Sequence, residues 1–109
     1  MHTLGGPRLE VLHVPDCPNL SRLVDRLSQV TDLPVVTRVV RTDADAVRLG
    51  MTGSPTLLVD GVDPFPAGEC GLSCRLYRNE SGAPIAVPIL EQLRAALDKR
   101  PDDVTGDGG

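Results

Sequence analysis

Three cysteines, Cys17, Cys70 and Cys74, and the nearby His13 are the residues best equipped for chemistry in this chain. Cys17 lies in Pro15-Asp16-Cys17-Pro18-Asn19, between a strand-like run and a helix-like one. A thiol at a helix start faces amides that lack intrahelical acceptors, and it sits at the positive end of the helix dipole. Both favour the thiolate, the nucleophilic form of cysteine. Pro18 suits the first helical turn, where its missing N–H is not needed. Asp16 acts the other way, because a neighbouring carboxylate disfavours a second negative charge. The expectation is a moderately activated thiol. The plainer reading is a buried cysteine used as a small hydrophobe.

An odd cysteine count is a poor framework for structural disulfides. Cys70 and Cys74 therefore have three open readings: a local disulfide or dithiol, an approach of one of them to Cys17, or burial beside Leu72 and Leu76. The local and buried readings are favoured over the approach to Cys17. His13, Cys17, Cys70 and Cys74 together offer soft ligands suited to Zn²⁺, Cu⁺ or Hg²⁺, although the spacing is permissive. A second signal is Thr52-Gly53-Ser54-Pro55-Thr56. Most X-Pro bonds are trans, so by itself this segment reads as an ordinary turn entering a strand.

These residues need elements to position them. Arg8 to Val14 alternates as a strand, with Leu9, Val11 and His13 on one face and Leu12 and Val14 on the other. Leu20, Leu23, Val24, Leu27 and Val30 fall at helical spacing within Asn19 to Thr31. Pro34 to Arg41 is β-branched on both faces, which predicts a central strand. Thr42 or Asp43 caps a short helix through Leu49 that Gly50 stops. Thr56 to Val59 is a third strand, followed by the Asp60-Gly61 turn. Val62 to Leu72 is irregular, and Cys74 to Arg78 predicts a short fourth strand. A last helix starts at about Pro88 and runs to Asp98. The order β-α-β-α-β-β-α favours an α/β domain with a mixed four-stranded sheet flanked by helices.

The succession strand, Pro-Asp-Cys-Pro-Asn, helix, strand, helix, Gly-Ser-Pro-Thr, strand, Asp-Gly resembles the thioredoxin superfamily over residues 8 to 98. The resemblance is nearest to small thioredoxin-like members with a Gly-Cys-Pro-Asn-type turn. It implies a thioredoxin-like fold, with Cys17 as the nucleophile and Pro55 as a cis proline beside it. It implies further that Pro18, Asn19, Ser54 and Thr56 contact substrate, and that the reaction is thiol-disulfide exchange with a protein or a low-molecular-weight thiol or disulfide. Residues 71–77, Gly-Leu-Ser-Cys-Arg-Leu-Tyr, also resemble segments of relatives labelled organomercurial lyases. One departure stands out. Leu20 occupies the position where Cys-x-x-Cys places a second sulfur. Release of a mixed disulfide then needs a thiol from solution, or Cys70 or Cys74 as a resolving or redox pair. A third strand of four residues, about 13 Å long, leading into a returning fourth strand would leave Cys74 far from Cys17. The alternative is a non-catalytic module of the same fold that binds a protein partner or a soft metal through its thiolates.

Composition sets the outer limits. The 109 residues suit one domain, expected over 8–98, with a flexible leader at 1–7 and a disordered tail at 99–109. A net charge of −4 and only 2% aromatics argue against nucleic-acid binding, which needs clustered cations and stacking platforms. No apolar run approaches the roughly 20 residues that cross a bilayer, and Met1 to Arg8 lacks the apolar region of a secretory signal. The expected compartment is the cytoplasm, and no cofactor is expected.

Overall fold

The computed structural model describes residues 7–65 and 71–98. Residues 1–6 of the expected leader, the expected tail at 99–109 and Cys70 lie outside the described residues.

Strand β1 (Leu9–His13) is the centre of the main sheet. It pairs in parallel with β2 (Val35–Val39) and antiparallel with β4 (Thr56–Val59). The alternation of β1 supplies both faces of the core. Leu9 and Val11 join Leu57, Val59, Leu23, Leu27, Val87 and Leu93 on one side, against helices α1 (Leu20–Val30) and α3 (Leu90–Asp98). Leu12 joins Val40, Leu58, Ala46 and Met51 on the other, against α2 (Asp43–Leu49). The result is a three-layer α/β arrangement in which the sheet buries apolar surface on both sides.

Local signals explain the helices. Thr42 caps α2 by accepting a hydrogen bond from the Asp45 N–H at 3.1 Å, and Gly50 ends it at φ +82°, a conformation that favours glycine. Gln92 reaches back to the Ile89 N–H at 3.1 Å and satisfies a free donor at the start of α3. Arg26 of α1 donates to the carbonyl of Pro88 at 2.8 Å, which ties the two helices on this face together.

The expected single four-stranded sheet is not formed. The described strands make three separate sheets: β2-β1-β4, β3-β5 and β6-β7. Strand β3 (Thr52–Ser54) pairs in parallel with β5 (Gly71–Cys74), and β6 (Tyr77–Arg78) pairs antiparallel with β7 (Pro84–Ile85). The expected Cys74–Arg78 strand is divided at Arg75 and Leu76. The run changes partner there: Cys74 is in register with Ser54 of β3, whereas Tyr77 and Arg78 pair with Ile85 and Pro84 of β7, while Arg75 and Tyr77 turn inward toward residues 52–56 and Leu76 is 68% exposed. This return path carries the chain to β3 and away from the edge of β4. At the end of β4 the chain forms an isolated antiparallel bridge between Val59 and Val62.

The resemblance to the thioredoxin superfamily is overturned on the same ground. Its central four-stranded sheet is replaced by a split one. The family's active-site turn is also missing around Cys17, where turns at residues 15–16 and 18–19 intervene before α1 begins at Leu20. No disulfide or redox cysteine pair is seen among the described residues, and Cys17 is a free thiol. The thioredoxin-fold labels go with it, and the redox labels lose the support that the fold and its active-site motif gave them. A second correction concerns β2, expected at the centre of the sheet. It is an edge strand, and Val36 is 59% exposed. Apolar character on both of its faces was the misleading signal, since Val35 and the following Val40 alone reach the two cores. No helix of the described residues is long and apolar enough to cross a membrane.

Candidate functional site

Cys17 is half-buried on the segment that joins β1 to α1, with Pro15, Asp16 and Pro18 exposed around it. Asp16 adopts φ +58°, so the chain reverses just before the thiol. The carbonyl of Cys17 accepts from the Leu20 N–H at 3.4 Å. Asn19 is the N-cap of α1 through its carbonyl, which accepts from Leu23 at 3.1 Å, and its side chain makes no cap hydrogen bond. Cys17 therefore precedes the helix cap by two residues. The root of this segment is held on two sides. The carbonyl of His13 accepts from Val40 at 2.7 Å, and the Val14 N–H donates to the Ser54 hydroxyl at 3.0 Å.

Ser54 introduces the second half of the site. The Ser54–Pro55 peptide is cis, and it divides β3 from β4. Ser54, Pro55 and Thr56 are all fully buried. Their polar groups are engaged within the protein: Thr56 Oγ1 accepts from the Thr52 N–H at 3.2 Å and donates to the Gly53 carbonyl. Ser54, Pro55 and Thr56 are thus buried, with Ser54 bonded to the root of the thiol-bearing segment, whereas Pro18 is exposed and Asn19 half-exposed next to Cys17 in the chain.

Three residues that the sequence reading did not single out complete the site. Arg75 is a buried cation, 5% exposed, whose guanidinium pairs with Asp63 at 2.7 Å and donates to the Phe65 carbonyl at 3.0 Å. It also donates to Thr52 Oγ1 at 3.1 Å, and Asp63 accepts from that same hydroxyl at 3.2 Å. A buried charge is tolerable only when paired and hydrogen-bonded in this way. The guanidinium lies 4.3 Å from the centroid of the Tyr77 ring, a cation–π contact. Phe65 meets the same ring edge-on at 5.4 Å.

The Tyr77 hydroxyl donates to the carbonyl of Pro55 at 2.6 Å. Burial pushes the Tyr77 phenol up to about 12, Arg75 pulls it down, and Asp63 pushes it up. The Leu57 backbone pulls it down, and Cys17 adds a smaller upward push. The readable signal for this cluster was Asp63 and Arg75 bounding a stretch whose one charged residue is Glu69, with the only tyrosine two residues beyond Arg75.

Cys74 is placed differently from expectation. The backbone of Cys74 is in register with Ser54, because β5 runs parallel to β3. It therefore does not begin at the far end of β4. His13 is buried, and its Nδ1 bonds the Val14 carbonyl at 3.0 Å. The carbonyl can only accept, so Nδ1 carries the proton. Among the described residues no group of three or more His, Cys, Asp or Glu side chains is arranged to hold a metal ion.

Compared with protein-family models, curated proteins and solved structures, the chain matches none. The site must therefore be read from its own chemistry: the half-buried Cys17 thiol, carried on a segment whose root is hydrogen-bonded to a buried support.

Proposed function

We propose that Cys17 is a single exchange thiol that forms a mixed disulfide with a protein or a low-molecular-weight disulfide. The observation that carries this reading is the half-exposure of Cys17 on a segment tethered at its root through Ser54. A nucleophilic sulfur must be reachable, yet held in a defined position. In the step, the Cys17 thiolate bonds to one sulfur of the incoming disulfide and the S–S bond breaks. The departing sulfur leaves as a thiolate and takes a proton from water. A second thiol from solution then attacks the partner-derived sulfur, releases it as a new disulfide and regenerates Cys17. The cytoplasm, rich in small thiols, is the compartment that suits this cycle. Pro18 and Asn19, beside the thiol, are the positions proposed to meet the partner. Ser54, Pro55 and Thr56 serve as its support.

The test compares exchange with glutathione disulfide in the wild-type protein, Cys17→Ser, and Cys70→Ser/Cys74→Ser. The double variant is expected to keep the wild-type rate and Cys17→Ser to lose it. Wild-type exchange in Cys17→Ser would overturn the reading. So would a wild-type protein that binds its partner without exchanging at all.

A further inference from the structure

Five consecutive residues, 52 to 56, are each touched by Arg75 or Tyr77. Arg75 Nη1 donates to Thr52 Oγ1 at 3.1 Å and lies 3.5 Å from Thr56 Oγ1. The Arg75 N–H donates to the Ser54 carbonyl at 3.0 Å, and Tyr77 holds the Pro55 carbonyl. Gly53 completes the set: a Cβ there would lie 2.8 Å from Cβ of Arg75, so only glycine allows this approach. Ser54, flanked by these residues, takes the main-chain N–H of residue 75 on its carbonyl and accepts the Val14 N–H through its hydroxyl, at the root of the Cys17 segment.

We infer that its guanidinium makes Arg75 a positioning residue for the chemistry of Cys17, acting through Thr52 and Thr56, which flank Ser54. This rests on the exchange role proposed above. Arg75 touches neither the thiol's partner nor the reacting sulfurs; it fixes the segment that fixes the thiol. The guanidinium suits the task because its planar fork serves several acceptors at once, which an ammonium on a flexible stem does not. Disulfide exchange depends on this more than simple alkylation does. Exchange needs three sulfurs aligned with a docked partner, whereas alkylation needs only a reachable thiolate.

The test uses the full chain with Cys70→Ser/Cys74→Ser, so that Cys17 alone reports. Arg75→Lys and Tyr77→Phe are introduced separately. Exchange with glutathione disulfide and alkylation by iodoacetamide are timed under identical conditions. The exchange rate of Arg75→Lys is expected to fall by about tenfold or more while its alkylation rate is unchanged, with a smaller fall of the same kind in Tyr77→Phe. An unchanged ratio of the two rates in folded Arg75→Lys overturns the inference, because a merely structural role would lower stability without moving that ratio. If Arg75→Lys does not fold, Thr52→Val removes one of the arginine's acceptors without altering charge and carries the same expectation and the same overturning result. Silent variants at 75, 77 and 52 alongside an inactive Cys17→Ser refute the role of Arg75 alone. An active Cys17→Ser refutes both readings.

Discussion

The Tyr77 hydroxyl and the Pro55 carbonyl oxygen, 2.6 Å apart, join β6 to the bend between β3 and β4. The bond is buried, and Pro55 directly follows Ser54, whose hydroxyl takes the Val14 N–H at the root of the Cys17 segment. Removing the hydroxyl in Tyr77→Phe leaves the ring packed on Phe65 and Arg75 but strips a buried carbonyl of its donor. A loss of about 1–2 kcal/mol in unfolding free energy is expected. Urea denaturation at neutral pH checks it, and a loss near zero would mean that water replaces the hydroxyl.

The same residue makes stability depend on alkaline pH. Tyr77 ionises at about 12 in the folded protein against 10.0 for a free phenol. Between these values the unfolded chain sheds the phenolic proton while the folded chain keeps it. The stabilisation is complete below pH 10, declines by about 1.4 kcal/mol per pH unit, and is gone above about pH 12. Lys and Arg also titrate in this range, so the contribution is read as wild type minus Tyr77→Phe. The chain has one tyrosine and no tryptophan, so phenolate absorbance reports Tyr77 alone. Ionisation of the folded protein near pH 10 would contradict the burial assigned to this ring.

Asp63 and Arg75 make a pair in which only the carboxylate reaches solvent, with side-chain exposures of 18% and 3%. Asp63→Ala leaves the guanidinium buried without its counter-charge. A loss of about 3 kcal/mol is expected, well above the roughly 0–1 kcal/mol of an exposed pair such as Arg38–Glu10. Parallel urea titrations of Asp63→Ala and Glu10→Ala give the comparison, and equal losses would contradict the buried-pair assignment.

What the sequence made legible was local. The alternation of Leu9, Val11 and Leu12 foretold both faces of β1, and Thr42 and Gly50 marked the ends of α2. The spacing of Leu23 and Leu27 located the buried stripe of α1. Illegible were the pairings decided at long range. β3 meets β5 because Gly53 lacks a side chain where Arg75 approaches, a fact that requires both segments at once. The run from Cys74 to Arg78 reads as one strand, but its two ends pair with different partners, β3 and β7, that lie far away in the chain or beyond a turn. Val36 and Val39 look like core residues and are exposed at a sheet edge. At the site, Cys17 and the Ser54–Pro55 bend could be singled out by type. Their support by Arg75, Asp63 and Tyr77 could not, because no spacing rule links residues 54, 63 and 75.

The central claim is that exchange takes place on one sulfur. Treating the wild-type protein with limiting glutathione disulfide, followed by acid quenching and peptide mapping by mass spectrometry, tests it most directly. The account predicts that the first glutathione adduct appears on the peptide containing Cys17, before any modification of Cys70 or Cys74. First labelling at Cys70 or Cys74, with Cys17 still free, would contradict it.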